Sequence, residues 1–478
     1  MKDKKRKLHL NVQSSFTGHP AGWRTEEGRR VPGDDIAHYQ QVARVAERGL
    51  LNAVFLADSP SLSEQGGGDG LNGPTRSLDP VVIVAAMALA TERLGFILTS
   101  STTFNLPYNV ARQISSLDHL SKGRIGWNIV TTSDPGAGGN FGLKAMPDND
   151  TRYGTAAEFT DVVLKLWDSW EDGALIGDPN TGVWADRNRI HPINHTGTYF
   201  SVKGPFQVPR SPQGRPVLVQ AGSSPEGRNF ASKYAEAIFT VQTLKREALA
   251  YYEDIKSRAR AHGRNPDKIA ILPGLSLVMG STEAEAHQRL AELDAISNDS
   301  SALERFAKRL GVDPAELDFD RPFPEHLIDQ IKPMNNSTGH KQARTLLLRE
   351  RTLTVREIIA RGSGGHHRVV GSHEQIADFI EDWFTTGAAD GFNLFFDMYP
   401  ASLATFVDHV IPILQRRGLY WTEYTGSTLR DHYELERPAN ILFPAPAANA
   451  EAEPPVPSRR TSERTSSNEL AEAGNHAD

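Results

Sequence analysis

Residues 217–228 read VLVQAGSSPEGR, a short apolar run followed by a turn of small residues and a proline. The apolar run is typical of a buried strand, whereas Ser224 suits the N-cap of a helix and Pro225 its first helical position. The same unit recurs along the chain, because short apolar runs alternate with amphipathic segments. This alternation predicts a parallel sheet built from βα units.

Eight candidate strands can be counted, which is the number found in a TIM-type barrel. They cover residues 8–12, 53–57, 94–100, 124–130, 217–221, 237–240, 269–279 and 392–396. The predicted helices cover residues 36–49, 79–91, 110–121, 155–170, 225–235, 247–262, 379–387 and 403–418. We therefore predict an α/β protein with a (β/α)8 TIM-type barrel and long insertions.

Two segments depart from the strand–helix repeat. Residues 172–216 are rich in Gly, Pro, Asn and His and predict a long excursion before the fifth strand. Residues 282–391 predict a larger insertion before the eighth strand, which we interpret as a lid, since long insertions in compact domains are often lids or binding loops. We expect one domain over residues 1–437. We expect a disordered tail over 438–478, where Ala, Pro, Glu and Ser predominate from Pro444 onward.

Composition narrows the possible classes of protein. The chain has 478 residues, of which 38% are hydrophobic and 23% charged, so it can bury a large core. A net charge of −7 argues against a nucleic-acid-binding protein. The absence of cysteine excludes disulfides, thiolate nucleophiles and cysteine-ligated zinc or iron–sulfur sites. No apolar run approaches the roughly 20 residues of a membrane span, and no signal-peptide core follows the basic N-terminus, so we expect a cytoplasmic location.

Polar residues follow or end several of the predicted strands, where barrel enzymes carry their functional groups. Asp58 follows the second strand, Thr103 follows the third, and Asn128 lies in the fourth. Such groups can hydrogen-bond to the ring oxygens and nitrogens of a planar heterocycle. For each residue taken singly, capping or turn chemistry is the alternative.

The turn after the fifth strand predicts an anion site. The free N–H groups and the positive end of the following helix suit a phosphate, and the hydroxyls of Ser223 and Ser224 add two donors. Arg152 and Tyr153, near the start of the helix after the fourth strand, supply further donors. A plain helix cap is the structural alternative.

Several other patterns are not interpreted as functional sites. Residues 68–73 match G-x-G-x-x-G by letter, but they lie about ten residues beyond their strand and precede Pro74, so we reject a dinucleotide site. The histidines that we interpret as loop residues rather than metal ligands are His191, His195, His366, His367 and His373, and no metal site is predicted. The tryptophans that we expect in the core are Trp167, Trp170 and Trp383.

Residues 123–132 read GRIGWNIVTT, and this run resembles the two-component flavin monooxygenases of the bacterial luciferase superfamily. This group contains nitrilotriacetate monooxygenase component A, EDTA monooxygenase and dibenzothiophene-sulfone monooxygenase. Supporting stretches are STTF at 101–104, PY at 107–108, AR at 111–112, QAGSS at 220–224, GAADGFN at 387–393, VDHV at 407–410 and LQRRGL at 414–419. Together they extend the resemblance from the first strand to about Arg437.

The resemblance implies a barrel that binds reduced FMN (FMNH2), which a separate NAD(P)H-dependent flavin reductase supplies. The cofactor contacts that it implies are Asp58, Thr103, Asn128, Asn149, Arg152, Tyr153, Ser223 and Ser224, with Asn128 near the isoalloxazine ring. Asn149 stands where many members have a histidine. His19 lies in the loop GHPAGWR at 18–24, where members often carry paired histidines beside the substrate cavity. His19 and Asn128 are therefore the candidate catalytic residues.

The implied reaction is capture of O2 by FMNH2 as a flavin peroxide, followed by oxygenation of a small organic substrate with cleavage of a carbon–heteroatom bond. We expect Phe16, Trp23, Phe104 and Phe141 to form cavity walls that exclude water. A homodimer or homotetramer is expected, with no nucleic-acid or membrane partner. The alternatives are oxidative cleavage of a flavin such as riboflavin, an F420-dependent oxidoreductase of the same superfamily, and a non-catalytic flavin-binding subunit.

Overall fold

Eight parallel strands close into a barrel in the computed structural model, which describes residues 6–14, 18–19, 21–29, 34–61, 78–297, 302–331, 345–360 and 366–444. The strands are β1 (His9–Gln13), β2 (Ala53–Leu56), β3 (Gly95–Ser101), β4 (Ile125–Val130), β5 (Val217–Gln220), β6 (Ala237–Thr240), β7 (Ala270–Gly280) and β8 (Gly391–Phe396). Strand β8 pairs with β1 and so closes the barrel. The predicted fold is confirmed, and each predicted strand end agrees within one residue.

The longer helices surround this barrel. They are Ile36–Arg48, Pro80–Ala88, Pro107–Leu120, Asn149–Trp167, Pro225–Tyr234, Lys245–Ala261, Glu283–Ser297, Ala302–Leu310 and His373–Thr385. A continuous helical stretch follows β8. It consists of the α-helix Ala401–Thr405, the π-helical segment Phe406–Val410 and the α-helix Ile411–Arg416. Shorter helices are Glu26–Arg29, Pro135–Asn140, Glu325–Ile328, Val355–Ala360 and Leu429–His432.

The helix after β4 begins six residues earlier than predicted. Asp148 caps it by accepting a hydrogen bond from the Thr151 backbone N–H at 2.8 Å. The first turn is polar, so it lacks the apolar periodicity on which the prediction depended. This earlier start brings Asn149, Arg152 and Tyr153 into the first two turns of the helix.

Side chains on the outer face of the strands form the main core with the helices. Trp127 of β4 is fully buried there, between Phe159 and Trp167 of the helix Asn149–Trp167. The burial predicted for Trp167, Trp170 and Trp383 is confirmed, since each exposes less than a tenth of its surface.

Side chains on the inner face form layers of four from alternate strands, as in other TIM-type barrels. The strand register defines three layers, from the N-terminal toward the C-terminal end of the barrel. The lower layer contains Asn11, Ile97, Val219 and Leu272; the middle layer Phe55, Asn128, Phe239 and Asn393; and the upper layer Gln13, Thr99, Ala221 and Gly274. The upper layer is therefore small and polar, and it opens toward the ends of the strands where barrel active sites lie.

The N-terminal end of the barrel is closed by the segment around helix Leu429–His432. Leu429 and Tyr433 join an apolar cluster with Ile97 and Val217 inside the barrel. The Tyr433 hydroxyl donates a hydrogen bond to Asn11 Oδ1 at 2.8 Å. This closed end leaves the opposite face for ligands.

The predicted excursion at 172–216 contains two small hairpins. One pairs Leu175–Asp178 with Val183–Ala185, and the other pairs His195–Thr196 with Ser201–Val202. Glu158 on the neighbouring helix holds the second hairpin, because its carboxylate accepts hydrogen bonds from the backbone N–H groups of residues 198–200.

The predicted insertion at 282–391 contains a ninth strand of the main sheet, His367–Ser372, which the sequence analysis did not predict. Strand β6 pairs with β7 only at residues 270–273, and His367–Ser372 pairs in parallel with residues 275–280. The additional strand therefore continues the barrel wall above the end of β6.

The contacts of the compact unit extend to Phe443. Residues 438–443, which the sequence analysis assigns to the tail, hydrogen-bond to Asp168 and Trp170. The G-x-G-x-x-G letters at 68–73 and Phe16 lie outside the described residues. Within the described ranges, no helix has the length and apolar character needed to cross a bilayer.

Candidate active site

Two buried carboxamides in the middle layer of the barrel keep open acceptor atoms. Asn128 Nδ2 donates to Thr99 Oγ1 at 2.9 Å, and Asn393 Nδ2 donates to Gln13 Oε1 at 3.2 Å. The Oδ1 atoms of both asparagines are buried and accept no hydrogen bond from the described part of the chain. A buried acceptor without a donor costs about 1–3 kcal/mol. A ligand that brings N–H or O–H groups into the barrel mouth would therefore be stabilised here.

The ends of β2 and β3 carry the next two predicted residues. The Thr103 backbone N–H donates to Ser101 Oγ at 3.2 Å, and Thr132 Oγ1 donates to the same hydroxyl at 2.8 Å, so this bond network joins the ends of β3 and β4. Asp58 is exposed just beyond β2. Both predicted residues lie at the open end of the barrel. Thr103 follows β3, which is next to the Asn128 strand β4, and Asp58 follows β2, one strand further away.

The predicted anion site follows β5. Ser224 caps helix Pro225–Tyr234 by accepting the Gly227 N–H at 3.1 Å, and Pro225 is in the first turn, so the predicted cap is confirmed. The turn is tight, because a Cβ added to Gly222 would lie 2.7 Å from Gln220 Oε1. The Tyr251 hydroxyl holds the turn by donating to the Gly222 carbonyl oxygen at 2.8 Å, and burial raises the pKa of Tyr251 well above its usual value.

The first two turns of helix Asn149–Trp167 lie beside the predicted anion site. The Tyr153 hydroxyl lies 2.7 Å from the position of a Cβ added to Gly227, so only glycine allows this approach. Asn149 Nδ2 donates to Glu226 Oε2 at 2.9 Å. Arg152 donates to the Thr131 carbonyl oxygen at 2.9 Å and also to the Asn149 side chain.

Five of the predicted cofactor residues therefore come together between β4 and β5. These are Asn149, Arg152, Tyr153, Ser223 and Ser224.

His19 is buried at a junction of three elements. Its Nδ1 accepts the Ala21 N–H at 3.1 Å, so the ring proton of the neutral imidazole lies on Nε2, which is 3.4 Å from Asp294 Oδ1 on helix Glu283–Ser297. Its backbone N–H donates to the Asp397 carbonyl oxygen at 2.8 Å, just after β8, and Arg289 forms an ion pair with the Asp397 carboxylate. No hydrogen bond joins His19 to Asn128 in the described residues, so the two candidate catalytic residues form separate groups.

The aromatic residues proposed as cavity walls have different environments. Phe104 and Phe141 stack with ring centroids 4.4 Å apart and planes within 3°. Trp23 exposes 36% of its surface. Of the three wall residues that lie in the described part of the chain, only Phe104 and Phe141 form a continuous aromatic surface.

The structure adds His366, which the sequence analysis interpreted as a loop histidine. Its ring stacks on Phe395 of β8 at 4.4 Å and lies 5.4 Å from Phe239 of β6. A Cβ added to Gly274 would lie 2.2 Å from His366 Nδ1. Gly274 contributes no side chain to the upper layer, and the His366 imidazole fills that space. A glycine inside a long apolar strand often marks such a close approach, and Gly274 was the available signal in the sequence.

The other histidines have structural partners. His191 contacts Glu171 Oε1 at 2.7 Å, and His195 contacts Glu158 Oε1 at 3.1 Å. His367 points away from the barrel interior and stacks on Phe379, and His373 stacks on His409. The described residues contain no group of three or more His, Asp or Glu side chains arranged to hold a metal ion.

Comparison with known proteins gives consistent matches over most of the chain. Residues 11–390 match the family described as luciferase-like monooxygenase. The chain is 40% identical over 444 residues to the N-acetyl-S-(2-succino)cysteine monooxygenase of Bacillus subtilis (strain 168), with 92% of this chain and 99% of the relative covered. It is also 40% identical over 449 residues to nitrilotriacetate monooxygenase component A of Aminobacter aminovorans, with 91% and 98% covered.

A solved structure extends the comparison to the fold. The crystal structure of a riboflavin lyase with modified FMN and its substrate riboflavin superposes with a TM-score of 0.75 at 33% identity. The match covers 90% of this chain and 96% of that chain. The family match, the two relatives aligned over nearly their whole length and the shared barrel agree. This chain therefore belongs to the luciferase-like monooxygenase family.

Proposed function

We propose that this chain is an FMNH2-dependent monooxygenase that uses O2 to oxygenate a small organic substrate. The observation that carries the proposal is the group of hydrogen-bond donors between β4 and β5, at the same end of the barrel as the open acceptors on Asn128 and Asn393. The phosphate of FMN could accept hydrogen bonds from the donors between β4 and β5. Its ring N–H and ribityl hydroxyls could donate to the acceptors on Asn128 and Asn393.

The residues present fit this cofactor. Ser223, Ser224 and Tyr153 would hold the phosphate, together with Arg152 and Asn149. These donors are hydroxyls, a guanidinium, an amide and the free N–H groups of a helix N-terminus, which are the groups that bind phosphate in proteins.

The second set of contacts lies in and around the barrel mouth. Asn128, with Thr103 and Asp58 on the neighbouring strands, would orient the ring and ribityl parts of the cofactor. When it is bound, reduced FMN supplies the electrons and the reaction with O2. The stacked pair Phe104 and Phe141 and the buried His19 junction would limit the entry of water at the mouth.

The proposal includes a separate reductase as the source of FMNH2. The name of the Aminobacter relative, component A, supports a system with more than one protein. The names of the two relatives that are 40% identical also support a small organic substrate, and we propose that a carbon–heteroatom bond is cleaved.

Oxidative cleavage of riboflavin is the second candidate function. The similarity to the riboflavin lyase favours it. Incubation of the chain with FMNH2, O2 and riboflavin, followed by product analysis, separates the two functions, because only the second consumes riboflavin.

The test of the main proposal is an anaerobic titration with FMNH2, followed by mixing with oxygenated buffer while absorbance is recorded. We expect saturable binding and a flavin reoxidation that is slower than that of free FMNH2. In the Asn128→Leu variant, FMNH2 binding should be weaker by about fivefold, since one hydrogen bond contributes about 1 kcal/mol. Asn188→Leu, an exposed change in the excursion, is the control and should not alter binding.

The outcomes are distinct. Absence of FMNH2 binding by the wild-type chain would reject the proposal. Binding with reoxidation at the rate of free FMNH2 would favour a flavin-binding protein without oxygenase activity.

A further inference from the structure

The strand His367–Ser372 presents alternate side chains to the helices outside the barrel and to the mouth inside it. His367 points outward, because its ring stacks on Phe379 of the following helix with centroids 4.8 Å apart. Val369, two residues further on, also packs against the main core. Arg368 lies between these two outward residues, so its side chain belongs to the inward face of the strand.

The strand register places Arg368 beside other inward residues of the barrel. Arg368 pairs with Ser276 of β7, and Ser276 pairs with Phe395 of β8. The ring of His366 lies over Gly274 of β7 and stacks on Phe395. A guanidinium, a hydroxyl, an imidazole and a phenyl ring therefore share one side of the barrel mouth. We call these four residues, Arg368, Ser276, His366 and Phe395, the mouth wall.

The mouth wall borders an open space. All four of its residues are partly exposed, although they lie on the inward face of the barrel. The outward neighbours Leu275, Leu277 and Leu394 on the same two strands are completely buried. Leu272, deeper on the inward face of β7, is buried as well. The space therefore opens at the ends of the strands, where barrel enzymes bind their ligands.

The chemistry of the mouth wall suits an organic anion. A guanidinium can bind a carboxylate through two parallel hydrogen bonds, and the hydroxyl of Ser276 is a further donor beside Arg368. The acidic residue that follows β8 is Asp397, and its carboxylate already forms an ion pair with Arg289. Asp397 therefore adds no uncompensated negative charge that would repel an anion. The ring of Phe395 offers an apolar face for a carbon skeleton.

We propose that the mouth wall binds the acidic group of the substrate, and that this chain therefore acts on a small organic acid. Arg368 pairs with the carboxylate, Ser276 donates to it, and the carbon skeleton packs on Phe395 and His366. The donors proposed for the FMN phosphate follow β4 and β5, so the two anionic groups have separate partners. This inference rests on the proposed function, which supplies the reduced flavin.

The experiment is an anaerobic calorimetric titration of the full-length chain, saturated with FMNH2, with benzoate and with benzamide. The two probes have nearly the same shape and differ in charge, and no turnover occurs without O2. Succinate and succinamide repeat the comparison for an aliphatic acid. We expect the wild type to bind at least one acid about tenfold tighter than its amide, since hydrogen bonds to charged groups are the stronger ones.

Substitution of the arginine locates the acid. In Arg368→Gln, binding of the preferred acid should weaken about tenfold, whereas binding of its amide and of FMNH2 should not change. Arg368→Lys keeps the charge and loses the planar fork, so the acid should lose less affinity than in Arg368→Gln.

Controls separate this effect from changes in net charge and folding. Arg321→Gln removes the same charge from a side chain that is 82% exposed, and it should leave the affinities for acid, amide and FMNH2 unchanged. Thermal melts of each variant check the fold. The preference of the wild type for an acid over its amide is measured without any variant, so it tests the proposal even if Arg368→Gln does not fold.

Three results would overturn the inference while FMNH2 still binds. The absence of a preference for either acid over its amide would show that the mouth does not select an organic acid. Unchanged acid binding by a folded Arg368→Gln chain would place the acid elsewhere. Weaker FMNH2 binding by that variant would assign Arg368 to the cofactor. If the wild type does not bind FMNH2, the proposed function itself fails, and this inference is lost with it.

Discussion

Asp118, near the end of helix Pro107–Leu120, is a buried carboxyl group with a pH-dependent effect on stability. Burial raises its pKa to about 6, although the Ile125 N–H and the Gln213 amide donate to Oδ1 and lower it. Its Oδ2 has no hydrogen-bond partner in the described residues. The folded state therefore holds the Asp118 proton more tightly than the unfolded state, whose pKa is near 3.8. Stability from this group is complete below pH 4 and is lost as the pH rises through 6.

Asp118→Asn should therefore be more stable than the wild type at pH 7.5 and similar to it at pH 4. The expected gain in free energy of unfolding at pH 7.5 is about 1–3 kcal/mol, from a pKa shift of about two units. Urea unfolding at pH 4, 5.5 and 7.5 measures it. Asp329→Asn, whose side chain is 91% exposed, is the control and should show no pH-dependent difference. Lower stability of Asp118→Asn at pH 7.5 would show that the native protein requires the charged carboxylate.

Single residues differ in how far the sequence predicts their role. The cap at Ser224 depends on residues within three positions of it, so local chemistry is sufficient. The bond between Asn149 and Glu226 joins residues 77 apart, and the His366 ring meets Gly274 only after the barrel has closed. No local pattern encodes either contact, so the sequence analysis predicted neither of them.

At the scale of elements, β7 and the strand His367–Ser372 meet at His366. This residue precedes the strand His367–Ser372, and its ring packs against Gly274 of β7. A Cβ on Gly274 would overlap this ring, so Gly274→Ala should destabilise the protein by about 1–3 kcal/mol, as overpacking does in other cores. In a His366→Ala background the same change should cost much less. Urea unfolding of the two single variants and the double variant gives the coupling energy.

Gly139→Ala is the matched control for this cycle, because nothing lies within 4 Å of a Cβ added there. It should leave stability almost unchanged. A Gly274→Ala cost that is the same in both backgrounds would show that His366 does not fill the upper layer of the barrel.

Most elements were predictable because their signals are local. The eight barrel strands are apolar runs bounded by turns, and they lie within one residue of the predicted positions. The strand His367–Ser372 is short and only partly buried, and it forms by pairing with the upper half of β7. Its existence depends on β7 extending beyond the end of β6, which no window of the sequence shows.

At the scale of the whole molecule, the end of the described chain is tied to the helix that leads into the excursion. The Ile441 N–H donates to Asp168 Oδ2 at 2.9 Å, and Asn440 Nδ2 donates to the Asp168 and Trp170 carbonyl oxygens at 2.9 and 3.0 Å. Removal of residues 438–478 should therefore lower the Tm by several degrees, because the buried Asp168 carboxylate loses a donor.

Removal of residues 445–478 is the matched control, since it keeps all of these contacts, and it should leave the Tm unchanged. Thermal melts of the two truncated chains and the full chain make the comparison. An equal Tm for all three chains would place the boundary of the stable domain at residue 437, where the sequence analysis predicted it.

The closed end of the barrel has a consequence for synthesis of the protein. Strand β1 completes its pairing only with residues 391–394, and Asn11 receives its hydrogen bond from Tyr433, 422 positions later. A nascent chain emerging from the ribosome therefore holds β1 with one edge unpaired until nearly the whole polypeptide has been translated. Such edges are sites of aggregation, and contacts so distant in sequence slow folding. Production of this protein should depend on translation speed and chaperone supply more than its final stability would suggest.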